Sequence, residues 1–136
     1  MKALIINGPN LNLVGTRNPE IYGNISLTDY LSELSENYEF DIFQSNVEGE
    51  IINRLQQADN ENYDGILINA GGYTHTSIAI ADAIEAIETP VIEIHISNIF
   101  AREEFRNNSL IAPNCIGHIS GFGLKSYELG LKALNN

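Results

Sequence analysis

Five apolar runs of strand length, Ala3 to Ile6, Phe40 to Phe43, Ile66 to Ile68, Val91 to Ile96 and Ile116 to Ile119, alternate with stretches of helical spacing. Short apolar runs suit buried strands, whereas apolar residues recurring at i, i+3, i+4 and i+7 form one face of a helix. After Ser26, a fitting N-cap, Leu27, Tyr30, Leu31 and Leu34 recur in that way, with Asp29 in the first turn. Ile51, Ile52, Leu55 and Ala58 repeat the spacing, and Leu124, Tyr127, Leu131 and Leu134 define a last helix. Strands that alternate with helices bury both kinds of apolar face by forming a parallel sheet covered on its two sides. The expected fold is therefore α/β: a flavodoxin-like, doubly wound, five-stranded parallel sheet with helices on both faces. The chain of 136 residues suits one core, and no repeat, linker or low-complexity tract marks a boundary, so residues 1–136 are expected to form a single domain.

Charge narrows the partners. A formal net charge of −11 opposes nucleic acid and anionic membrane, which require a basic stripe. No apolar run reaches the roughly 18 residues of a membrane span, and the N-terminus reads as a strand rather than a signal peptide, so a cytoplasmic location is expected. The single cysteine, Cys115, has no disulfide partner and no Cys or His at ligand spacing, which leaves it a packing role. The seven cations are Lys2, Arg17, Arg54, Arg102, Arg106, Lys125 and Lys132. On so acidic a chain the closeness of Arg102 and Arg106 suggests a local anion site, against the plainer reading of surface ion pairs.

Two segments depart from the pattern. From Gly8 to Ile25 the chain lacks core periodicity and carries Gly8, Pro9, Gly15, Pro19 and Gly23. Loops this long in compact domains are usually lids or disordered, and Leu11, Leu13, Val14, Ile21 and Tyr22 are too apolar for a linker, so a lid over about 8–25 is expected. Ile78 to Ile87 is apolar on nearly every side apart from Asp82 and Glu85. That pattern suggests packing against a second subunit, the alternative being a central helix within one chain.

In doubly wound sheets ligands sit beyond the carboxyl ends of the strands, where strand order reverses. The residues following the first strand are Asn7-Gly8-Pro9-Asn10; the third is followed by Asn69-Ala70-Gly71-Gly72-Tyr73-Thr74-His75, and the fourth by His95-Ile96-Ser97-Asn98. Each has a plainer reading. Asn10 and Asn69 can make turns, His75 can open a helix, Ser97 can cap one, and His95 can be a hydrogen-bonded core histidine with Glu93 on its own side. Asp82 can be a solvated helix residue and Tyr22 a loop anchor. Their joint placement at one crevice is what favours a site.

Other motifs fail. Gly121-Phe122-Gly123 follows a strand but lacks the third glycine and the further βα unit of a dinucleotide site. There is no P-loop, nucleophile elbow or zinc-protease helix, and His75, His95 and His118 lack close ligand spacing, so neither metal nor nucleotide cofactor is expected. A flavin- or anion-binding module of the same fold remains a rival, opposed by the absence of a Ser/Thr-rich phosphate loop after the first strand. A receiver-type signalling domain would need acidic residues where Asn7 and Asn10 stand.

With these residues set out, the chain resembles the type II 3-dehydroquinate dehydratases over nearly its whole length. Its matching motifs, in order, are Asn7-Gly8-Pro9-Asn10-Leu11, Gly15-Thr16-Arg17, Glu20-Ile21-Tyr22-Gly23, Gln44-Ser45-Asn46 with Glu48-Gly49-Glu50, Tyr73-Thr74-His75-Thr76-Ser77, Glu93-Ile94-His95-Ile96-Ser97-Asn98 and Arg102-Glu103-Glu104-Phe105-Arg106. The resemblance implies a hydro-lyase of the shikimate or quinate pathway acting without a cofactor by anti elimination through an enolate. Tyr22 would be the base, Arg17 its activator, His95 the acid, and Asn10 a neighbour of the enolate. Asn69, His75, Ile96, Ser97 and Arg106 would bind substrate, and Asp82 would reach it from a neighbouring subunit of a trimer, with four trimers in a homododecamer. Asn18 in place of a usual Glu, Ala70-Gly71-Gly72 in place of Pro-Gly-Ala, and Ala81 in place of a frequent Arg are the departures; the last bears on the interface.

These residue types suit the reaction. Loss of water from a β-hydroxy ketone needs a base, donors for an oxyanion and an acid for the leaving hydroxyl. A tyrosine of pKa about 10 needs a shift of roughly three units, equivalent to about 4 kcal/mol, to act as base near neutrality. Burial opposes that shift, so a cation must outweigh it; Arg17 lies five residues away and Arg102 or Arg106 would add to the field.

Overall fold

The computed structural model describes residues 1–15 and 25–135. Its sheet has strands Lys2–Asn7 (β1), Glu39–Gln44 (β2), Gly65–Asn69 (β3), Val91–His95 (β4) and Gly117–Ser120 (β5), all parallel in the order β2-β1-β3-β4-β5. The order reverses between β1 and β3, the switch point expected of a flavodoxin-like sheet. Four α-helices flank it: Leu27–Leu34 (α1), Glu48–Ala58 (α2), Ile78–Ala86 (α3) and Lys125–Leu134 (α4).

Alternation along each strand divides the core into two layers. Ala3 and Ile5 of β1, with Leu67, Ile92 and Ile94, pack against Leu27, Leu31 and Leu34 of α1 and Tyr127 and Leu131 of α4. Leu4 and Ile6, with Ile66, Ile68 and Val91, pack against Ile51, Leu55 and Ala58 of α2 and Ile80, Ala81, Ala83 and Ile84 of α3. Central strands buried on both faces lose the polar alternation of half-exposed strands, which is why β1, β3 and β4 read as continuous apolar runs. Each fully buried Leu or Ile contributes about 1.5–3 kcal/mol, so a charged substitution at Ile5 or Ile68 would remove that gain and strand a charge.

The cap read at Ser26 is present, and a second one, at Ser77, was not foreseen. The Ser26 side chain accepts from Asp29 N at 3.0 Å at the start of α1, and Ser77 accepts from Ile80 N at 2.9 Å at the start of α3. Helix α3 resolves the apolar stretch into a buried stripe and an outer face of Ile78, Ala79, Asp82, Glu85 and Ala86; Ile78 is 68% exposed there. Two details differ from expectation. Ile116 precedes β5 and is 68% exposed rather than lying in the strand, because the chain joins the ladder one residue later. Leu11 and Val14 are buried in the α1–α4 layer, so the stretch from Gly8 to Gly15 is docked rather than free of core contacts. Their spacing is one turn of the short 3-10 helix Leu11–Leu13, too brief to register as periodicity. The rest of the expected lid, with Arg17 and Tyr22, lies outside the described residues. No helix among the described residues is long and apolar enough to cross a membrane.

Candidate active site

The exits of β1, β3 and β4 meet at one pocket of about 270 Å³, lined by Asn10, Asn69, His75, His95, Ile96, Ser97, Arg102 and Arg106 among others. A space at the small end of ligand pockets fits a single substituted ring better than a dinucleotide. The three exits come together through tight backbone contacts. Gly8 N donates to Asn69 O at 2.7 Å, and a Cβ at Gly8 would stand 2.5 Å from Ala70 O, so only glycine lets β1 and β3 leave the sheet this close together. Beyond β5, Gly121 adopts φ +95, and the Gly121 and Gly123 amides donate to His95 O and Ile96 O at 3.3 and 3.0 Å. That turn fixes the backbone on which Ile96 and Ser97 sit.

Asn10 stands in the left-handed region (φ 71), where asparagine is tolerated, and its amide donates to Asn46 Oδ1 at 3.0 Å. Its side chain is thereby presented to the pocket. Asn69 serves both readings that its sequence allows. Its Oδ1 accepts from Gly71 N at 3.2 Å, which makes the turn, while Nδ2 donates to the buried Tyr127 hydroxyl at 2.9 Å. That hydroxyl in turn donates to Asn7 Oδ1 at 2.7 Å. Burial holds the Tyr127 hydroxyl protonated far above the ordinary tyrosine range, against the smaller opposing effect of Asn69.

His75 ends the 3-10 helix Gly71–His75 instead of opening α3, a role taken by Ser77. Its Nδ1 lies 2.9 Å from Asn108 O. A carbonyl can only accept, so Nδ1 carries the proton and Nε2 is left as an acceptor or ligand-facing nitrogen. Ser97 is likewise no cap: Asn98 accepts from Phe100 N at 3.1 Å at the start of the 3-10 helix Ile99–Ala101.

His95 is 5% exposed and its Nε2 is paired with Glu93 Oε2. Glu93, fully buried, also accepts from the Ser109 hydroxyl at 2.9 Å on both oxygens and faces His118 Nδ1 at 3.2 Å through Oε1. Burial by itself would push the Glu93 carboxyl up. The His95 hydrogen bond and charge, the His118 charge and the Ser109 hydroxyl together outweigh it and hold the carboxyl below its usual range. A carboxylate on Nε2 fixes the orientation of the imidazole ring and leaves its Nδ1 edge outside that pair.

Arg102 and Arg106 bring positive charge to the rim. Arg106 Nε lies 3.2 Å from both oxygens of Glu103, and Arg102 Nε is 3.8 Å from Glu103 Oε1. Glu103 is half exposed, so these pairs are weak and a bound anion can compete with them. Asp82, on the outer face of α3, lies outside this pocket's wall. Of the supporting residues, Glu93 was legible, since it precedes His95 by two residues on one strand face; Ser109 and Tyr127, 16 and 58 residues from their partners, gave no signal.

The class II dehydroquinase family model matches residues 1–135. This chain belongs to the class II dehydroquinases. Membership makes it a hydro-lyase with 3-dehydroquinate dehydratase activity, a step of the shikimate and quinate pathways. The 3-dehydroquinate dehydratase of Caldicellulosiruptor saccharolyticus is 56% identical, covering 98% of this chain and 95% of that protein. That of Clostridium perfringens is 53% identical, covering 100% and 98%. The crystal structure of the type II dehydroquinase from Butyrivibrio crossotus superposes with a TM-score of 0.94 at 46% identity, covering 100% of this chain and 98% of that one. Within this dehydroquinase, the pocket at the β1–β3 switch point gathers all seven sequence-derived site residues that the described chain offers outside α3, namely Asn10, Asn69, His75, His95, Ile96, Ser97 and Arg106.

Proposed function

We propose that this dehydroquinase removes water from 3-dehydroquinate by anti elimination, with Tyr22 and His95 acting on opposite sides of an enolate. Tyr22, as phenolate beside Arg17, takes the proton next to the ketone; the electron pair passes into the carbonyl as an enolate. Collapse of the enolate expels the β-hydroxyl, which leaves as water with the proton from His95 Nδ1. Asn10 lies where it would donate to the enolate or to a water beside it, a role that needs a donor and not a charge. The amides of Ile96 and Ser97, with His75, Asn69 and Arg106, would hold the carboxylate and ring hydroxyls. The observation that carries this reading is the buried Glu93 carboxylate on His95 Nε2, which orients the ring in a pocket of substrate size and leaves its opposite edge for the proposed acid role.

Nothing in the step calls for a metal or nucleotide, since the substrate's own carbonyl receives the electron pair. The same reading makes residues 1–136 a single catalytic domain with a lid near 8–25, working in the cytoplasm. It also makes the functional particle a homo-oligomer, a trimer gathered as a dodecamer, in which Asp82 completes a neighbour's site. The outer face of α3, with Ile78 exposed beside Asp82, supports that arrangement. The test is to add 3-dehydroquinate to purified protein in deuterated solvent, following the conjugated enone absorbance of the product and the exchange of the α-proton. Product formation by wild type, with His95→Ala retaining α-exchange while losing product, is the expected result. Loss of both activities together in a folded His95→Ala protein would remove His95 from the role of acid.

A further inference from the structure

Parallel pairing of β4 with β5 sets Glu93 directly opposite His118, while His95, two residues on, shares the same face of β4. The chain separates His95 from His118 widely, but the ladder brings one donor atom from each of Glu93, His95 and His118 within 4.8 Å of the others. The two imidazoles approach different oxygens of a single carboxylate, and their ring centroids are 5.6 Å apart. We propose that Glu93, His95 and His118 form a binding site for a divalent transition-metal ion of the zinc type, and that occupation of this site inhibits the enzyme.

The donor set is two imidazoles and one carboxylate, the combination that open three-ligand zinc sites use, with a fourth position left for water. Zinc bonds of about 2.0–2.2 Å in tetrahedral geometry place donor atoms roughly 3.3–3.5 Å apart, so the three groups need only adjust by about an ångström around the ion. His118 Nδ1 is already 3.2 Å from Glu93 Oε1. Metal binding requires the carboxylate ionised and a nitrogen lone pair directed inward from each ring. The three donor atoms already lie within 4.8 Å of one another, and a lone pair points inward from each ring when His95 carries its proton on Nδ1 and His118 on Nε2.

The surroundings favour such an ion. The Ser109 hydroxyl, 2.9 Å from both Glu93 oxygens, orients the carboxylate as an outer partner does in metal sites. His118 has 27% of its side chain exposed at the edge strand, which gives the ion a way in that does not pass through the substrate pocket. The net charge of −11 raises the local concentration of divalent cations. The consequence for catalysis rests on the role of His95 given above. An ion on Nε2 replaces the Glu93 hydrogen bond and its cationic charge opposes the imidazolium that the acid step needs.

Cobalt(II) and zinc(II) titrations test this on the intact enzyme. Wild type should bind one Co²⁺ per chain with the intense visible absorbance of a tetrahedral site, lose that absorbance when Zn²⁺ is added, and gain thermal stability from Zn²⁺. Turnover should fall at least roughly tenfold as Zn²⁺ saturates, and EDTA should restore it. His118→Val should weaken Co²⁺ and Zn²⁺ binding by at least roughly tenfold, the scale expected from removing a ligand, when each protein is compared with its own metal-free state. His75→Gln should keep the tetrahedral signal, which separates this site from a chance pair of His75 and His95 across the pocket. Equal binding by wild type and His118→Val, loss of the signal in His75→Gln instead, or no saturable binding at millimolar metal would each overturn the proposal. Stoichiometric tetrahedral binding without inhibition would uphold the site and remove His95 from its place as acid.

Discussion

Tyr127, in the last helix, donates its hydroxyl to Asn7 Oδ1 at 2.7 Å across 120 residues of sequence, and it is fully buried as it does so. The Tyr127 hydroxyl oxygen itself accepts from Asn69 Nδ2 at 2.9 Å, so one phenol ties the ends of β1 and β3 together beneath the pocket. Tyr127→Phe keeps the ring and leaves two buried amide groups without their partner. Unfolding in urea should show a loss of about 1–3 kcal/mol, the penalty of an unsatisfied buried group. The KM for substrate should rise as Asn69 loosens. A variant as stable as wild type with unchanged KM would show that water or a rotated amide replaces the hydroxyl.

Glu93 links stability to pH. Its carboxyl lies below the ordinary value of 4.5 in the folded protein, so the unfolded chain binds the proton more readily. The contribution of Glu93 is therefore complete above the ordinary carboxylate range and is lost as pH falls through the lower, folded value. Glu93→Gln should flatten this acid limb in thermal melts between neutrality and about pH 3. The amide also replaces the carboxylate that holds the His95 ring, so turnover should fall by up to the roughly 10²–10⁴ attached to general acid catalysis. An acid limb unchanged by the substitution would assign it to other carboxylates.

How much of this was legible in sequence depends on whether a residue's partners are near it in the chain. The five strands, the cap at Ser26 and the convergence of Asn10, Asn69, His75 and His95 follow from local pattern and from the switch-point rule. Glu93 was half legible through alternation. His118 and Ser109 were not, because the β4–β5 register and the loop after β4 bring them to Glu93, and no periodicity records a register. Leu11 and Val14 were misjudged for a different reason: two apolar residues one turn apart are too few to stand out within a glycine- and proline-rich stretch.

Cys115 should be inert. Burial, with the nearby Glu93 charge adding to it, pushes its thiol up to about 12. Near pH 8 only about one thiol in ten thousand would be ionised, and the thiolate is the reactive form. A thiol-reactive disulfide reagent should therefore modify the native protein negligibly in minutes and one group per chain after denaturation. Rapid native labelling with loss of activity would contradict the packing role.

The proposed sharing of the site between subunits would make activity depend on assembly. Asp82 lies on the outer face of α3 away from its own chain's pocket, so Asp82→Asn should raise KM or lower turnover in the trimer while leaving a monomer no worse. Mixing Asp82→Asn with a second inactive variant, His95→Ala, should restore part of the activity, since some mixed pockets take an intact Asp82 and an intact His95 from different chains. Absence of any recovery in mixtures shown by mass spectrometry to exchange subunits would place Asp82 outside the site. So would a fully active particle of 15.0 kDa in light scattering.

The assignment of the base is the sharpest remaining point, because it separates a phenolate mechanism from one in which His95 or a lysine removes the proton. Tyr22→Phe keeps the ring and deletes the ionisable oxygen, so turnover should drop by at least roughly 10²–10⁴ while substrate binding changes little. Arg17→Ala should lower turnover as well and move the rising limb of activity to higher pH, since a phenol without a neighbouring cation ionises closer to about 10. His95 is poorly placed to be the base, because its Nε2 is committed to Glu93. The lysines are Lys2, Lys125 and Lys132, at the start of β1 and in α4, and none lines the pocket. If folded, substrate-binding Tyr22→Phe turns over within a few-fold of wild type, Tyr22 is not the base and the proton must leave by another group.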